Sequence, residues 1–556
     1  MRHLLLSLAA ATALSGALSG AVQAKEAERP NFLVIVADDL GYSDIGAFGG
    51  EIATPNLDAL AANGVRFTSF HTAPTCSPTR ATLMAGTDNH RAGLGTMAEA
   101  LAPNQRGKPG HEGYLSTKVA ALPELLQAGG YRTLMAGKWH LGLTPEQDPH
   151  ARGFQHTFAL LQGGHNHFGL GLTQDPAADA RAFGATYTED GHTLARLPDD
   201  FYSSDTFATK LIEQLRGTKA GKDGAKPFFA YLAFTAPHWP LQARPEDIAK
   251  YRGRYDAGFD VLRRERLQRQ VELGLLDPAV IPHEPDLPKG HWDQLSAEDK
   301  RTAARDMEIY AAMVDRLDQN VGRVIQTLKE TGEYDNTVIL FLADNGAEGV
   351  DFTSPKVAGF KSLADAADNS FANRGKATSF VAYGPGWAQA ATAPSWRYKA
   401  YASEGGTRAV SFLTGKGLGQ RKPVAGAFLS VADVLPTFLD LARLPQPKGR
   451  FQGRDVEPIR GKSWVPYLTG KADHVYGPND AYGVELFGSR ALRQGDWKIT
   501  DIGDGQWKLF NIARDPGETR DLSTADPALF QRLQQAWDRY AAEVGVILPD
   551  FKAYQP

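Results

Sequence analysis

The sequence predicts an α/β fold. A large domain has a mixed, mostly parallel β-sheet flanked by helices, and a smaller C-terminal domain has a four-stranded antiparallel sheet and a helix. Three observations predict it. Continuous apolar, β-branched runs recur at Phe32–Ala37, in PFFAYLAF and in TVILFLA, as strands buried on both faces of a parallel sheet require. Helical stretches closed by glycine alternate with those runs. After about residue 470, short apolar segments are parted by Gly-Asp and Asp-Gly turns, which suits an antiparallel meander.

In chain order, Thr54 reads as an N-cap and Pro55 as the first residue of a helix that Asn63-Gly64 stops, with a strand from Val65 to Phe67. A second helix ends at Gly129-Gly130 and leads into the strand YRTLMAGKWH. PFFAYLAF runs into the Pro-marked loop APHWP. The stretch from about 245 to 305 is charged and reads as a helical, solvated cover. Ile309, Met313, Leu317, Val321, Val324 and Leu328 fall at helical spacing before TVILFLA. Residues 350 to 407, rich in Ala, Gly, Ser and Pro, read as long loops. Ser430 to Leu444 forms an amphipathic helix and about Pro527 to Val544 a final one.

The first 24 residues have a basic start, an apolar run and a small-residue finish. They read as a secretory signal, giving a periplasmic or secreted protein with no membrane contact after cleavage. Residues 25–470 are expected to form the catalytic domain and 471–556 the C-terminal one. Net charge of -4 points away from nucleic acid and acidic membrane surfaces. One cysteine in 556 residues excludes an internal disulfide framework. That cysteine, Cys76, has neighbours Thr75, Ser77, Pro78 and Thr79, which do not look like core.

Ligands of open α/β sheets gather at the carboxyl ends of strands. Asp38-Asp39 and Asp344-Asn345 each follow a strand, and together offer three carboxylates and an amide oxygen. Such hard ligands suit Ca²⁺ or Mg²⁺, not Zn²⁺. Lys138 and His140, two apart at a strand end, can share a face. His238 also follows a strand, and Lys399 lies in a polar loop. Arg80 sits one turn into a helix that begins near Cys76, where backbone N–H groups favour an anion. The set would bind a small tetrahedral oxyanion, sulfate or phosphate. HNH at 165–167 reads as a surface loop near the pocket mouth rather than a second metal site. Trp139 and Trp239 could line a pocket for aryl groups.

Cys76-Ser77-Pro78-Thr79-Arg80 matches the C-x-P-x-R signature, and the chain resembles the type I sulfatases of the alkaline phosphatase superfamily. ADDLG, GKWHLG, APHWP, ADNG, a Lys before EGGTR and KLFNIARDPGETRDL resemble the family's phrases in the same order. The resemblance implies an alkaline phosphatase-like fold and hydrolysis of sulfate monoesters, by default small aryl or alkyl ones. It implies that a separate maturation enzyme oxidises Cys76 to Cα-formylglycine. The hydrated aldehyde would attack sulfur, form a hemiacetal sulfate, and expel sulfate as the second hydroxyl collapses it. The resemblance assigns Asp38, Asp39, Asp344, Asn345 and residue 76 to one Ca²⁺ ion, in preference to Mg²⁺. Asp344 would accept the nucleophile's proton, and Arg80 and Lys138 would orient the diol. His140 would take the proton of the spare hydroxyl, and His238 and Lys399 would hold sulfate oxygens and assist the leaving group. A monomer is the simpler expectation. The rival readings are a phosphonate monoester or phosphodiester hydrolase on the same site, and a non-catalytic Ca²⁺-dependent binder of sulfated glycans.

Overall fold

The computed structural model describes residues 29–174, 183–354, 357–415, 418 and 423–550; the expected signal, residues 1–24, lies outside them. Among the described residues, the large domain is built on a ten-stranded sheet. Its strands are β1 (Asn31–Ala37), β2 (Gly64–Phe67), β3 (Arg132–Lys138), β4 (His156–Leu160), β5 (Tyr187–Glu189), β6 (His192–Thr193), β7 (Phe228–Ala233), β8 (Thr337–Ala343), β9 (Ser411–Thr414) and β10 (Val424–Ala425). The spatial order is β10-β2-β9-β8-β1-β7-β3-β4-β5-β6. The central run from β8 to β4 is parallel, and β9 and β5 are antiparallel to it. Every residue of β1, β3, β7 and β8 is buried, which is why their sequences are apolar without alternation. The helix Ala297–Glu330 carries the anticipated apolar stripe into the core.

The C-terminal strands β11 (Ala481–Leu486), β12 (Ser489–Gln494), β13 (Trp497–Asp501) and β14 (Lys508–Asn511) form the four-stranded antiparallel meander. The helix Pro527–Val544 packs Leu533 and Trp537 against Leu492, Ile499 and Leu509 of that sheet. This sheet also braces the large domain. Lys498 Nζ lies 2.9 Å from Glu404 and 3.0 Å from Glu518, all three buried. Ser489 Oγ accepts from the Ala402 amide at 2.9 Å. Both contacts hold the loop that carries Lys399. No described helix is long and apolar enough to cross a membrane.

Several local expectations change. Thr54 precedes its helix without bonding a helix amide; its hydroxyl accepts from Gly46 N and donates to Asp58. The charged stretch from about 245 to 305 is only partly helical, at Pro245–Ala249, at Phe259–Glu272 and from Ala297 onward. It is no mere cover, because the fully buried Arg266 bonds Asp44 and Glu51. Residues 350 to 407 contain helices at Ala358–Ala366, Gly384–Ala391 and Glu404–Thr407. The segment from Ser430 is a 3₁₀ turn followed by a helix that ends at Leu441. The changed helix bounds share one cause: short helices of mixed composition are set by packing more than by local propensity.

Candidate active site

Strands β1 and β8 are neighbours with Ala37 level with Ala343, so the residues that follow them meet. Asp38, Asp39, Asp344 and Cys76 each place a ligand atom within 4.8 Å of the others. All four are buried. Asp39 adopts φ 67°, a left-handed conformation that costs a non-glycine residue about 1–3 kcal/mol and marks functional sites.

Cys76 opens the helix Cys76–Ala85, whose ten residues are all buried. Thr75, Ser77 and Thr79 are therefore core residues, against the sequence expectation. Their hydroxyls misled, because they can turn inward: Thr79 Oγ1 donates to Ala73 O at 3.0 Å. Cys76 Sγ lies 3.3 Å from Asp38 Oδ1. Burial, then the Asp38 carboxylate, push this thiol well above its usual range.

Each carboxylate is matched to a cation. Arg80 donates from Nε and Nη2 to Asp344 Oδ2 at 3.0 and 2.7 Å, and from Nη1 to Lys138 O. Lys138 Nζ donates to Asp38 Oδ2 at 2.7 Å. Lys399 Nζ lies 2.8 and 2.9 Å from the two oxygens of Asp39. Burial raises Asp39, yet Lys399, His238 and Lys138 together hold it at about 2. Burial and Asp38 push Asp344 up despite Arg80. Three carboxylates against three side-chain cations nearly cancel. Asn345 donates from Nδ2 to Asp39 Oδ1 at 2.7 Å, while its buried Oδ1 has no hydrogen-bond partner. An orphaned acceptor beside three carboxylates fits a hard divalent cation. Such an ion would leave the pocket net positive, ready for an oxyanion.

Lys138 closes β3, but the chain then turns: His140 adopts φ 57° and lies off the strand. A turn, not the shared strand face expected, thus sets the direction of His140, and the two side chains bond different carboxylates. His140 Nε2 is 3.0 Å from Glu99 Oε1. Burial lowers its pKa against the pull of Glu99, with Lys138 and Arg80 adding to the fall. His238 Nδ1 donates to Trp239 O at 2.5 Å and turns Nε2 toward Asp39 Oδ2, 3.5 Å away. Burial drives this imidazole well below its usual range. Lys399 Nζ and His238 Nε2 therefore converge on Asp39. Trp139 is fully buried and donates to Gln147 O, so it lines no pocket; Trp239 borders the site.

Two acids beside the site left no readable signal. Glu99 partners His140, and Glu348 partners Lys399 at 3.1 Å. His165 and His167 are buried, which corrects the reading of HNH as a surface loop. His167 reaches Ser203 Oγ at 2.7 Å and His238 O at 3.0 Å, bracing the chain at His238. Gly163 and Gly164 let this loop press on both imidazoles. A Cβ at Gly163 would stand 2.6 Å from His140 Cε1, and one at Gly164 3.3 Å from His238 Cε1.

The sulfatase family model matches residues 30–444, which takes in every residue of this site. The chain belongs to the sulfatase family. This sulfatase is 49% identical over 533 residues to an uncharacterized sulfatase of Schizosaccharomyces pombe, covering 94% of this chain and 95% of that one. It is 39% identical over 460 residues to an arylsulfatase of Klebsiella aerogenes, covering 82% and 95%. Its fold is shared with the solved structure of Ps i-CgsB in complex with k-i-k-neocarrahexaose, at TM-score 0.66 and 23% identity over 95% of this chain and 96% of that one. The sulfatase is a sulfuric ester hydrolase of the alkaline phosphatase-like superfamily. Its family generally uses a cysteine-derived formylglycine and a metal ion.

Proposed function

We propose that this sulfatase hydrolyses aryl or small alkyl sulfate monoesters with Cα-formylglycine at position 76 and one Ca²⁺ ion held by Asp38, Asp39, Asp344, Asn345 and residue 76. The observation that carries this is the placement of Cys76. The chain's lone cysteine sits at the start of a buried helix, with its Sγ among three carboxylates and its proton held tightly by burial. As a thiol it would be a poor nucleophile there. Its sulfur marks where the oxygens of a modified side chain would stand.

The hydrated aldehyde supplies two hydroxyls on one carbon, one to take the sulfuryl group and one to release it. The cation supplies positive charge where negative charge develops. The chain's own groups do the rest. Asp344 Oδ1 or Oδ2 takes the proton of the attacking hydroxyl. Lys138 and Arg80 orient residue 76 through Asp38 and Asp344. His140, anchored through Nε2, offers Nδ1 to the second hydroxyl's proton. Lys399 and His238 meet the sulfate oxygens and the leaving alcohol. Preorganised charge of this kind is worth several kcal/mol per interaction, on the order of 3. A secretory leader at 1–24, export to the periplasm or medium, a monomeric state and dependence on a maturation enzyme complete the proposal.

The decisive experiment is the mass of the tryptic peptide spanning residue 76, together with turnover of 4-nitrophenyl sulfate and of a phenylphosphonate ester. The expected results are the mass loss of CH₂SH becoming CHO and a strong preference for the sulfate. A preference for the phosphonate would select the diesterase reading. An unmodified thiol in fully active protein would remove the aldehyde chemistry.

A further inference from the structure

Glu348 puts a second buried carboxylate on the lysine assigned above to the sulfate oxygens. It lies just past Asn345, on the loop that follows β8. That loop runs against the one that carries Lys399. The Lys399 amide donates to Ala347 O at 3.0 Å, and a Cβ at Gly349 would stand 2.4 Å from Tyr398 Cε2. Only glycine lets the backbone close on the Tyr398 ring in this way. The two loops are locked together, and Glu348 Oε2 stands 3.1 Å from Lys399 Nζ.

Both oxygens of Glu348 are fixed. Oε1 accepts from Val350 N at 2.9 Å. Oε2 accepts the indole N–H of Trp239 at 3.4 Å in addition to the Lys399 ammonium. One carboxylate is thus tied to Lys399 directly and to His238 through its neighbour in sequence. Glu348 is 4% exposed, so solvent screens its charge little.

Pairing alone does not require this acid. Asp39 already brings both oxygens to Lys399 Nζ, at 2.8 and 2.9 Å. A further carboxylate opposes any anion that approaches Lys399, and its own burial is costly. The opposition is unequal, because Coulomb energy scales with the charge of the anion. Hydrolysis converts a sulfate ester of one negative charge and water into an alcohol, a sulfate ion of two negative charges and a proton. A fixed negative charge beside Lys399 therefore weakens binding of the product more than binding of the substrate.

We propose that Glu348 is a specificity-determining residue whose charge discriminates against doubly charged oxyanions, so that the site holds the sulfate ester and lets the sulfate ion go. The inference rests on the sulfatase reading above and adds to it how product leaves. The same charge disfavours phosphate monoesters, which carry two negative charges where a sulfate ester carries one.

The test uses two tetrahedral inhibitors of similar size, sulfate with two negative charges and sulfamate with one. Both compete with 4-nitrophenyl sulfate on the matured enzyme, in mildly alkaline buffer of fixed ionic strength. Glu348→Gln removes the charge, and Glu348→Asp keeps the charge but displaces it. The ratio of inhibition constants, sulfate over sulfamate, is expected to fall by about tenfold in Glu348→Gln and to stay within about twofold of wild type in Glu348→Asp, the scale of one unit charge acting across a partly screened site. Glu348→Ala removes the same charge with no amide to misplace, and it should move the ratio in the same direction. Progress curves of both neutral variants should bend earlier as sulfate accumulates. A lost contact weakens both ions alike and leaves the ratio unchanged. An unchanged ratio in the neutral variants, or an equal fall in Glu348→Asp, would overturn the proposal while the sulfatase reading stands. If wild-type enzyme releases no sulfate from 4-nitrophenyl sulfate, the sulfatase reading fails and takes the role of Glu348 with it.

Discussion

His140 directs Nε2 to Glu99 Oε1, 3.0 Å away, and keeps Nδ1 buried with no hydrogen-bond partner. A carboxylate on one imidazole nitrogen fixes the tautomer and leaves the other as a base. With the role proposed for His140, Glu99 is its positioning residue. Glu99→Gln is expected to lower kcat by about tenfold with KM unchanged, the scale of a lost orienting partner. The charge of Glu99 raises the His140 pKa against burial. Its removal should therefore move the acidic limb of the kcat–pH profile to lower pH. An unchanged limb and unchanged kcat would show Glu99 to be only a surface ion pair. His140→Ala, assayed alongside, separates this from a fault in the role given to His140.

The proposed release step makes Cys76→Ser diagnostic. A serine can accept a sulfuryl group but has no second hydroxyl with which to expel it. Steady-state turnover should fall by about 10³-fold or more, and intact mass should show enzyme carrying one sulfate. Cycling at the wild-type rate would contradict the second-hydroxyl step.

The proposed cation is tested apart from activity by thermal melting. Without it, Asp38, Asp39 and Asp344 crowd one small volume, and Asp344 is pushed up by burial and Asp38. Ligand binding at 100 times Kd stabilises a fold by about 2.7 kcal/mol. Chelation should lower Tm, and Ca²⁺ should restore it. Asp39→Asn should abolish that response, with little further loss of Tm from chelator. A Tm indifferent to both treatments would count against a cation in this cluster.

His90 predicts how stability depends on pH. It is buried between Asp88 Oδ1 at 2.9 Å and Glu485 Oε2 at 3.5 Å, where β11 meets the large domain. Burial lowers its pKa, but Asp88 and Glu485 outweigh burial and raise it from 6.5 to about 9. A folded pKa above the unfolded one gives stability that is complete below about 6.5 and is lost as pH rises through about 9. The difference corresponds to about 3 kcal/mol. Denaturant midpoints should fall across that window. His90→Gln should be less stable at pH 6 and should flatten the fall. A parallel, equally steep fall in the variant would assign it to other groups.

Arg266 is a buried cation with two carboxylates, Asp44 at 2.5 Å and Glu51 at 2.8 Å. Arg266→Met leaves both acids without it, and removing one partner of a buried pair costs about 3–5 kcal/mol. Denaturant unfolding checks this: a loss under 1 kcal/mol would mean that water reaches the two acids.

Much of the fold was readable because burial on both faces writes itself as continuous apolar runs. TVILFLA and Phe32–Ala37 became neighbouring parallel strands, and the meander and the helix Pro527–Val544 formed as expected. Residues 350–407 were harder. Their helices are short and mixed, and packing against the core, not periodicity, decides them. The hydroxyl-rich turn around Cys76 misled for a related reason: polar side chains that bond inward look like surface in a sequence.

The sequence by itself determined the chemical inventory. One cysteine in C-x-P-x-R, acids after strands, and lysines and histidines in a set order are matters of residue type and position along the chain. Only the tertiary structure decided which atoms meet. The level register of Ala37 and Ala343 brings Asp38 to Asp344 across 306 positions. Glu99, Glu348 and His167 bond partners 41 to 71 residues away. Side-chain contacts at such separations have no period and no fixed spacing, so they leave no mark in the sequence until the sheet draws the loops together.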